Sequence, residues 1–409
     1  MAELEVDVDP AEAGFDASRL SRIDAHFDRY VDNGRLPGWL AVVSRHGRIV
    51  HVGRGGLRDV EAGLPVEKDT LWRIFSMTKP ITSVAAMMLA EEGLLELDDP
   101  IARWLPEFAS PRVYVKGSAL APLTEPAVAP IRVWHLLTHT AGLTYGFHHG
   151  HPVDALYRAA GFDWGTPPGL DLAACCERWA SLPLLFQPGS EWNYSVATDV
   201  LGRVVEVVSG LSLDEFFASR IFGPLGMTDT GFAASSQSRL AALYVPDPSS
   251  GRAVRNDAFG RVGTSGPDCL SGGGGLVSSA YDYRRFTEML LRGGALDDVR
   301  LLSPRTVALM ASNHLPGHVD LEAFGRPLFA EMPFDGFGFG LGFSVLEDPV
   351  KARTLSSAGE FAWGGAASTA FWVDPDEDLT VGFYTQLLPS SAHRLRPQLR
   401  QLVYQALID

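Results

Sequence analysis

Ser76 and Lys79, in the stretch Trp72-Arg-Ile-Phe-Ser76-Met-Thr-Lys79-Pro80, are the residue types from which a nucleophile and its base can be built. A serine hydroxyl attacks a carbonyl only when a neighbour takes its proton. An amine can do so once desolvation weakens its hold on its own proton, whereas arginine stays charged at every working pH. The chain has four lysines and 30 arginines, 34 basic residues in all, and only Lys79 follows a serine at this spacing. A chain that otherwise uses arginine for positive charge has kept a lysine where a base is needed. A second candidate is Tyr194, in Gln187-Pro-Gly-Ser-Glu-Trp-Asn-Tyr194-Ser195, whose phenol can share proton transfer with an amine. Tyr194 could equally be a side chain packed beneath a loop.

These residues need elements to hold them. Apolar residues at Met77, Ile81, Val84, Ala85 and Met88 recur at helical spacing, and Gly93 ends the run. Pro80 is tolerated there only in the first turn, so Ser76 sits at the N-terminus, where free N–H groups favour developing negative charge. Residues i and i+3 share a face, which brings the Lys79 amine to the Ser76 hydroxyl. Ser195 reads as the N-cap of a second helix, with Val196, Val200, Leu201, Val204 and Val208 along one side up to Gly210. Tyr194 then lies on the lip of that helix.

Elsewhere, residues 14–35 read as an amphipathic helix. Trp39–Ser44 and Ile49–Val52 form a hairpin around His46-Gly47, and residues 171–181 and 394–407 form helices. Residues 94–130, rich in Pro and Asp, read as loops with short helices. His135 and His139 lie four apart, but no Glu follows His135, so a structural role is expected rather than zinc ligation. His148, His149 and His151 read as a loop. Ser271–Gly275 has no following Lys-Ser/Thr pair, so nucleotide binding is rejected in favour of a flexible turn. Gly336–Gly342 alternates with period two, a strand whose glycine face receives another backbone. Residues 369–373 and 379–385 form a final hairpin. Strands at both ends and helices between predict a discontinuous sheet domain, residues 1–85 and 270–409, with a mostly helical domain at 86–269 and a ligand cleft between them.

The composition is that of a globular chain of 409 residues, 46% hydrophobic and 20% charged. A net charge of −15 argues against nucleic acid or an anionic membrane as a partner. The N-terminal residues lack a basic region and an apolar core, and no long apolar run follows, so neither a signal peptide nor a membrane span is expected. Three cysteines form no disulfide framework and no metal-ligand pattern. The expectation is a cytoplasmic protein without cofactor or metal, acting on a small molecule.

Ser76-Met-Thr-Lys79, Leu136-Leu-Thr-His-Thr-Ala-Gly-Leu143, Pro188-Gly189 ahead of Tyr194-Ser-Val196, Gly273–Ser279, Gly338–Gly342 and Trp363-Gly-Gly365 follow one another in the order of a known superfamily. The chain resembles the serine β-lactamases and penicillin-binding proteins, and within them the family VIII carboxylesterases. The resemblance implies an α/β fold, an antiparallel sheet flanked by helices plus a helical part. It also implies Ser76 as nucleophile, Lys79 and Tyr194 as general base and acid, and an oxyanion hole from the backbone N–H groups of Ser76 and Ala366. The β-lactamases resemble one another in having Tyr-x-Asn and Lys-Thr-Gly motifs; here Val196 replaces the Asn and Trp363 the Lys. Trp363 cannot meet a substrate carboxylate, and with Gly364, Gly365 and Val196 it is expected to line an ester-binding pocket. The expected activity is hydrolysis of short-chain acyl esters through an acyl-enzyme. A β-lactamase or D,D-peptidase, acyl transfer, and a non-catalytic ligand-binding member of the fold stand as alternatives.

Overall fold

The computed structural model describes residues 4–259, 262–326 and 333–409. Its frame is an eight-stranded antiparallel sheet in which the two ends of the chain meet. Strand Gly38–Arg45 pairs on one side with its hairpin partner Arg48–Asp59 and on the other with Leu379–Tyr384, Leu40 lying opposite Tyr384. Beyond Leu379–Tyr384 come Ala370–Asp374, Phe361–Gly364, Ser344–Leu346 and Phe337–Phe339, and Leu64–Pro65 forms the opposite edge.

Alternation along these strands feeds two cores. Trp39, Ala41 and Val43 meet Trp372, Val381 and Phe383 on one face, covered by helices Arg22–Asp32 and Leu395–Tyr404. Phe27 fastens the first of these helices, its ring 4.7 Å from Phe383 and 5.4 Å from Trp39. Leu40, Val42 and Phe371 face the other way, on the side of helix Ala280–Leu291, where Tyr283 lies 5.2 Å from Phe371, and Trp363 joins the same core. That second core runs on without a break into the helical part of the chain, through Leu136, Val200, Leu201 and Phe216.

The helix Thr78–Glu91 is buried from Thr78 to Leu89 on every side. The spacing alone predicts one apolar face; the short side chains Thr82, Ser83, Ala85 and Ala86 fill the rest of the circumference and let neighbours close in. The expected helix over 14–35 is broken at Ser21 into Ala17–Leu20 and Arg22–Asp32, with Asp16 capping the first turn through Arg19 N–H. Within residues 94–130 the structure adds a hairpin, Arg112–Ser118 with Ala121–Pro126, where loops were expected. Gly272–Gly275 corrects the expected flexible turn. A Cβ on Gly272 would lie 2.9 Å from the Thr198 carbonyl, and one on Gly275 2.9 Å from the Phe232 ring, so these glycines form a close-packed seam. Among the described residues no helix is long and apolar enough to cross a membrane.

Candidate active site

Ser76 is presented by a turn that the backbone holds under strain. Strand Leu71–Arg73 pairs with Val277–Ser279, Ile74 N–H donates to the Leu276 carbonyl, and Phe75 then adopts φ +44°. A bulky residue in the left-handed region costs energy and persists only where its surroundings dictate it. A one-turn 3₁₀ segment, Phe75–Met77, follows and runs into the buried helix. The Tyr283 hydroxyl donates to the Met77 carbonyl at 2.9 Å and pins this junction from the sheet side.

Lys79 is 2% exposed, and its Nζ donates to three oxygens: the Gly273 carbonyl at 2.6 Å, Tyr145 Oη at 3.0 Å and Ser76 Oγ at 3.4 Å. The same Nζ stands 4.5 Å from the centre of the Tyr194 ring. Tyr194 is 8% exposed, and its hydroxyl accepts a hydrogen bond from Trp363 Nε1–H at 3.3 Å. The structure therefore brings Ser76, Lys79 and Tyr194 to one place, with the Tyr194 ring face, rather than its oxygen, against the ammonium.

Tyr194 is braced from behind. His148 Nε2–H donates to its carbonyl at 2.7 Å, and the His139 ring packs 4.9 Å from the phenol ring while its Nδ1 lies 3.2 Å from Ser195 Oγ. Burial, with Lys79 nearby, pushes the His139 imidazole well below its ordinary value, so it stays neutral. His135 is engaged separately, its Nδ1 accepting Arg132 N–H at 3.0 Å. Ser195 accepts Ala197 N–H, while Val196 occupies the cap position itself.

The edge facing Ser76 is the end of strand Phe361–Gly364. Gly365 N–H donates to Thr369 O and Ser368 N–H to Gly365 O, closing a tight turn in which Ala366 N–H takes no part. Near Ser76, Met77 N–H goes to Ile74 O and Thr78 N–H to Phe75 O, again leaving the Ser76 N–H out. A Cβ on Gly365 would stand 2.4 Å from the Ile74 carbonyl, so glycine at 365 is what allows the strand end and the turn before Ser76 to touch, and one on Gly364 would stand 2.4 Å from the Arg396 guanidinium.

Ser76, Tyr194, Val196, Trp363, Gly364, Gly365 and Ala366 all line one cavity of about 780 Å³, whose further walls include Phe75, Phe147, Trp164 and Phe232. That is ample for a ligand of drug size and largely apolar. Tyr145 is the neighbour that sequence reasoning missed. It bonds Lys79 directly, and burial followed by the Asp199 charge raises its phenol well above the ordinary tyrosine value, so it remains protonated. No periodicity or motif marks Tyr145; only the fold places it beside Lys79.

The family model described as Beta-lactamase matches residues 23–405. The chain belongs to the beta-lactamase family. Within that family it is 36% identical to Esterase EstB of Burkholderia gladioli, over 97% of this chain and 98% of the relative. It is 32% identical to Lovastatin esterase of Penicillium rubens, over 90% and 93%. Among solved structures, EstCE1, described as a hydrolase with promiscuous acyltransferase activity, superposes with a TM-score of 0.80 at 31% identity, covering 95% of this chain and 98% of that one.

Proposed function

We propose that this member of the beta-lactamase family is a serine carboxylesterase of the family VIII type that works through an acyl-enzyme on Ser76. The observation that carries the reading is Lys79, buried with its Nζ 3.4 Å from the Ser76 hydroxyl, while Ser76 itself lines an apolar cleft. Ser76 Oγ attacks the ester carbonyl while the Lys79/Tyr194 pair, which enters the step with one of its two groups deprotonated, takes the serine proton; the carbonyl becomes an oxyanion held by the N–H groups of Ser76 and Ala366. The C–O bond to the alcohol then breaks, and the same pair returns the proton to the leaving alkoxide. Water, deprotonated by the pair, releases the acid and restores the serine. Hydrogen bonds at such centres tighten once substrate fills the cleft, so a Tyr194 oxygen that here accepts only the Trp363 N–H is compatible with its part in this cycle.

Neutral esters fit this cleft better than β-lactams do. Trp363 stands where a carboxylate-binding lysine is found in the β-lactamases, and it spends its indole N–H on Tyr194. The two esterase relatives support the same preference. An alcohol in place of water would turn the cycle into acyl transfer, the side activity of EstCE1. Turnover of p-nitrophenyl butyrate and of a chromogenic cephalosporin, measured side by side, tests the assignment. The ester should have the larger kcat/KM, Ser76→Ala should abolish it, and a fluorophosphonate should add its mass at Ser76. A cephalosporin kcat/KM far above that of the ester, or an unlabelled Ser76, overturns it.

A further inference from the structure

The shortest bond Lys79 makes is to a main-chain carbonyl, that of Gly273, and something must hold that carbonyl still. Gly273 is gripped at its other end, through the peptide that joins it to Gly272. Its N–H donates to Asp199 Oδ1 at 2.9 Å, and the same oxygen accepts Ser271 Oγ–H at 2.5 Å. Asp199 lies in the first turn of helix Ala197–Ser209 and is 5% exposed. A carboxylate is costly to bury, and it is retained here within electrostatic reach of Lys79. Its fit is close: a Cβ on Gly273 would stand 2.4 Å from Asp199 Oδ2, so glycine alone lets the peptide reach the carboxylate. Thr82 Oγ1 holds the other side of that same Gly272–Gly273 peptide by donating to the Gly272 carbonyl at 2.7 Å.

We propose that Asp199 is a positioning residue for Lys79, resting on the esterase reading above. Its carboxylate anchors the Ser271–Gly273 turn, the Gly273 carbonyl holds one N–H of the ammonium, and the remaining donors are thereby aimed at Ser76 and Tyr145. The negative charge also balances the buried ammonium at close range. Burial raises the Asp199 carboxyl above its ordinary value, while the Lys79 charge and the two donors pull it back down. Asp199 touches no reacting atom in this scheme; it acts through the peptide.

The test compares Asp199→Ala, Asp199→Asn and Ser271→Ala in the full chain, with p-nitrophenyl butyrate turnover and the rate of Ser76 phosphonylation as readouts. Misplacing a base by about an ångström costs roughly a hundredfold. Asp199→Ala should therefore lose about a hundredfold in kcat and in phosphonylation rate, with KM within about threefold of the parent. Asp199→Asn keeps an acceptor for Gly273 N–H but not the charge, and should recover to roughly tenfold below the parent. Ser271→Ala leaves the Gly273 bond in place and should stay within about threefold of the parent. If Asp199→Ala does not fold, Asp199→Asn decides. An asparagine variant with the parent's kcat and labelling rate, or one altered in KM alone, overturns the proposal. A parent that the fluorophosphonate labels at Ser76 keeps the esterase reading alive in that event, whereas an unlabelled parent removes both.

Discussion

At the scale of single residues, the division of labour around Lys79 is open to direct measurement. Lys79→Arg keeps the charge but cannot give up a proton, so kcat should fall by at least about 10² in steady-state ester hydrolysis; near-parent turnover would mean that only a cation is needed there. The two tyrosines should differ. Tyr194→Phe removes a proton carrier and should also lose about 10² in kcat. Tyr145→Phe removes one charge-assisted bond, about 1.5 kcal/mol or roughly tenfold. Equal losses in the two variants would contradict this ranking. The closeness of Ser76 and Lys79 was legible in the sequence because it is local, three residues across one turn. Tyr145 and Asp199 were not, since the contacts of both to this centre cross between segments far apart in the chain.

At the scale of elements, glycine position separates contact from conformation. A Cβ at Gly365 would meet Thr369 Oγ1 at 2.2 Å and the Ile74 carbonyl at 2.4 Å, and the second is backbone that cannot swing aside. Gly365→Ala should cost about 1–3 kcal/mol in urea unfolding and disturb ester turnover as well. Gly93, at φ +72° with nothing within 4 Å, should cost only about 1 kcal/mol as alanine and leave turnover intact.

The short helix Val133–Leu137 carries a pH dependence. Burial lowers the His135 imidazole to about 4, and its Nδ1 accepts the Arg132 N–H, a bond that protonation would replace with two opposed donors. The folded form thus binds this proton less readily than the unfolded chain, whose ordinary value is 6.5. This contribution is fully present above pH 6.5 and is lost as the pH falls towards 4, on the order of 3 kcal/mol in all. His135→Asn keeps an acceptor without the titration, so its stability should fall less steeply than the parent's between pH 7 and 5 in denaturant titrations. The sequence misled at two elements for physical reasons. Gly-rich runs read as loose when neighbours are invisible. The hairpin of residues 112–126 contains Pro, Gly and mostly outward-facing side chains, which hides its alternation.

At the scale of the whole molecule, a sheet built from both ends of the chain was readable from the strands clustered there, while its antiparallel order and flanking helices followed from the resemblance to the β-lactamases. The closeness of its two halves was not: one core passes without interruption from the sheet into the helices around Ser76. Nor was the order of strands, since Gly38–Arg45 finds its partner at Leu379–Tyr384 only through long-range burial. That pairing has a consequence for how the protein is made. During synthesis the first hairpin emerges more than three hundred residues before the strand that covers its open side, and Ser76 and Lys79 exist long before the Trp363–Ala366 segment that faces them. Until the last strands leave the ribosome, Gly38–Arg45 offers a bare, apolar edge to any neighbouring nascent chain. A chain stopped before Leu379 should collect in the insoluble fraction and show no ester turnover, although it contains every side chain of the proposed catalytic set. Soluble, active material from such a truncation would mean that the early hairpin shields itself in some other way.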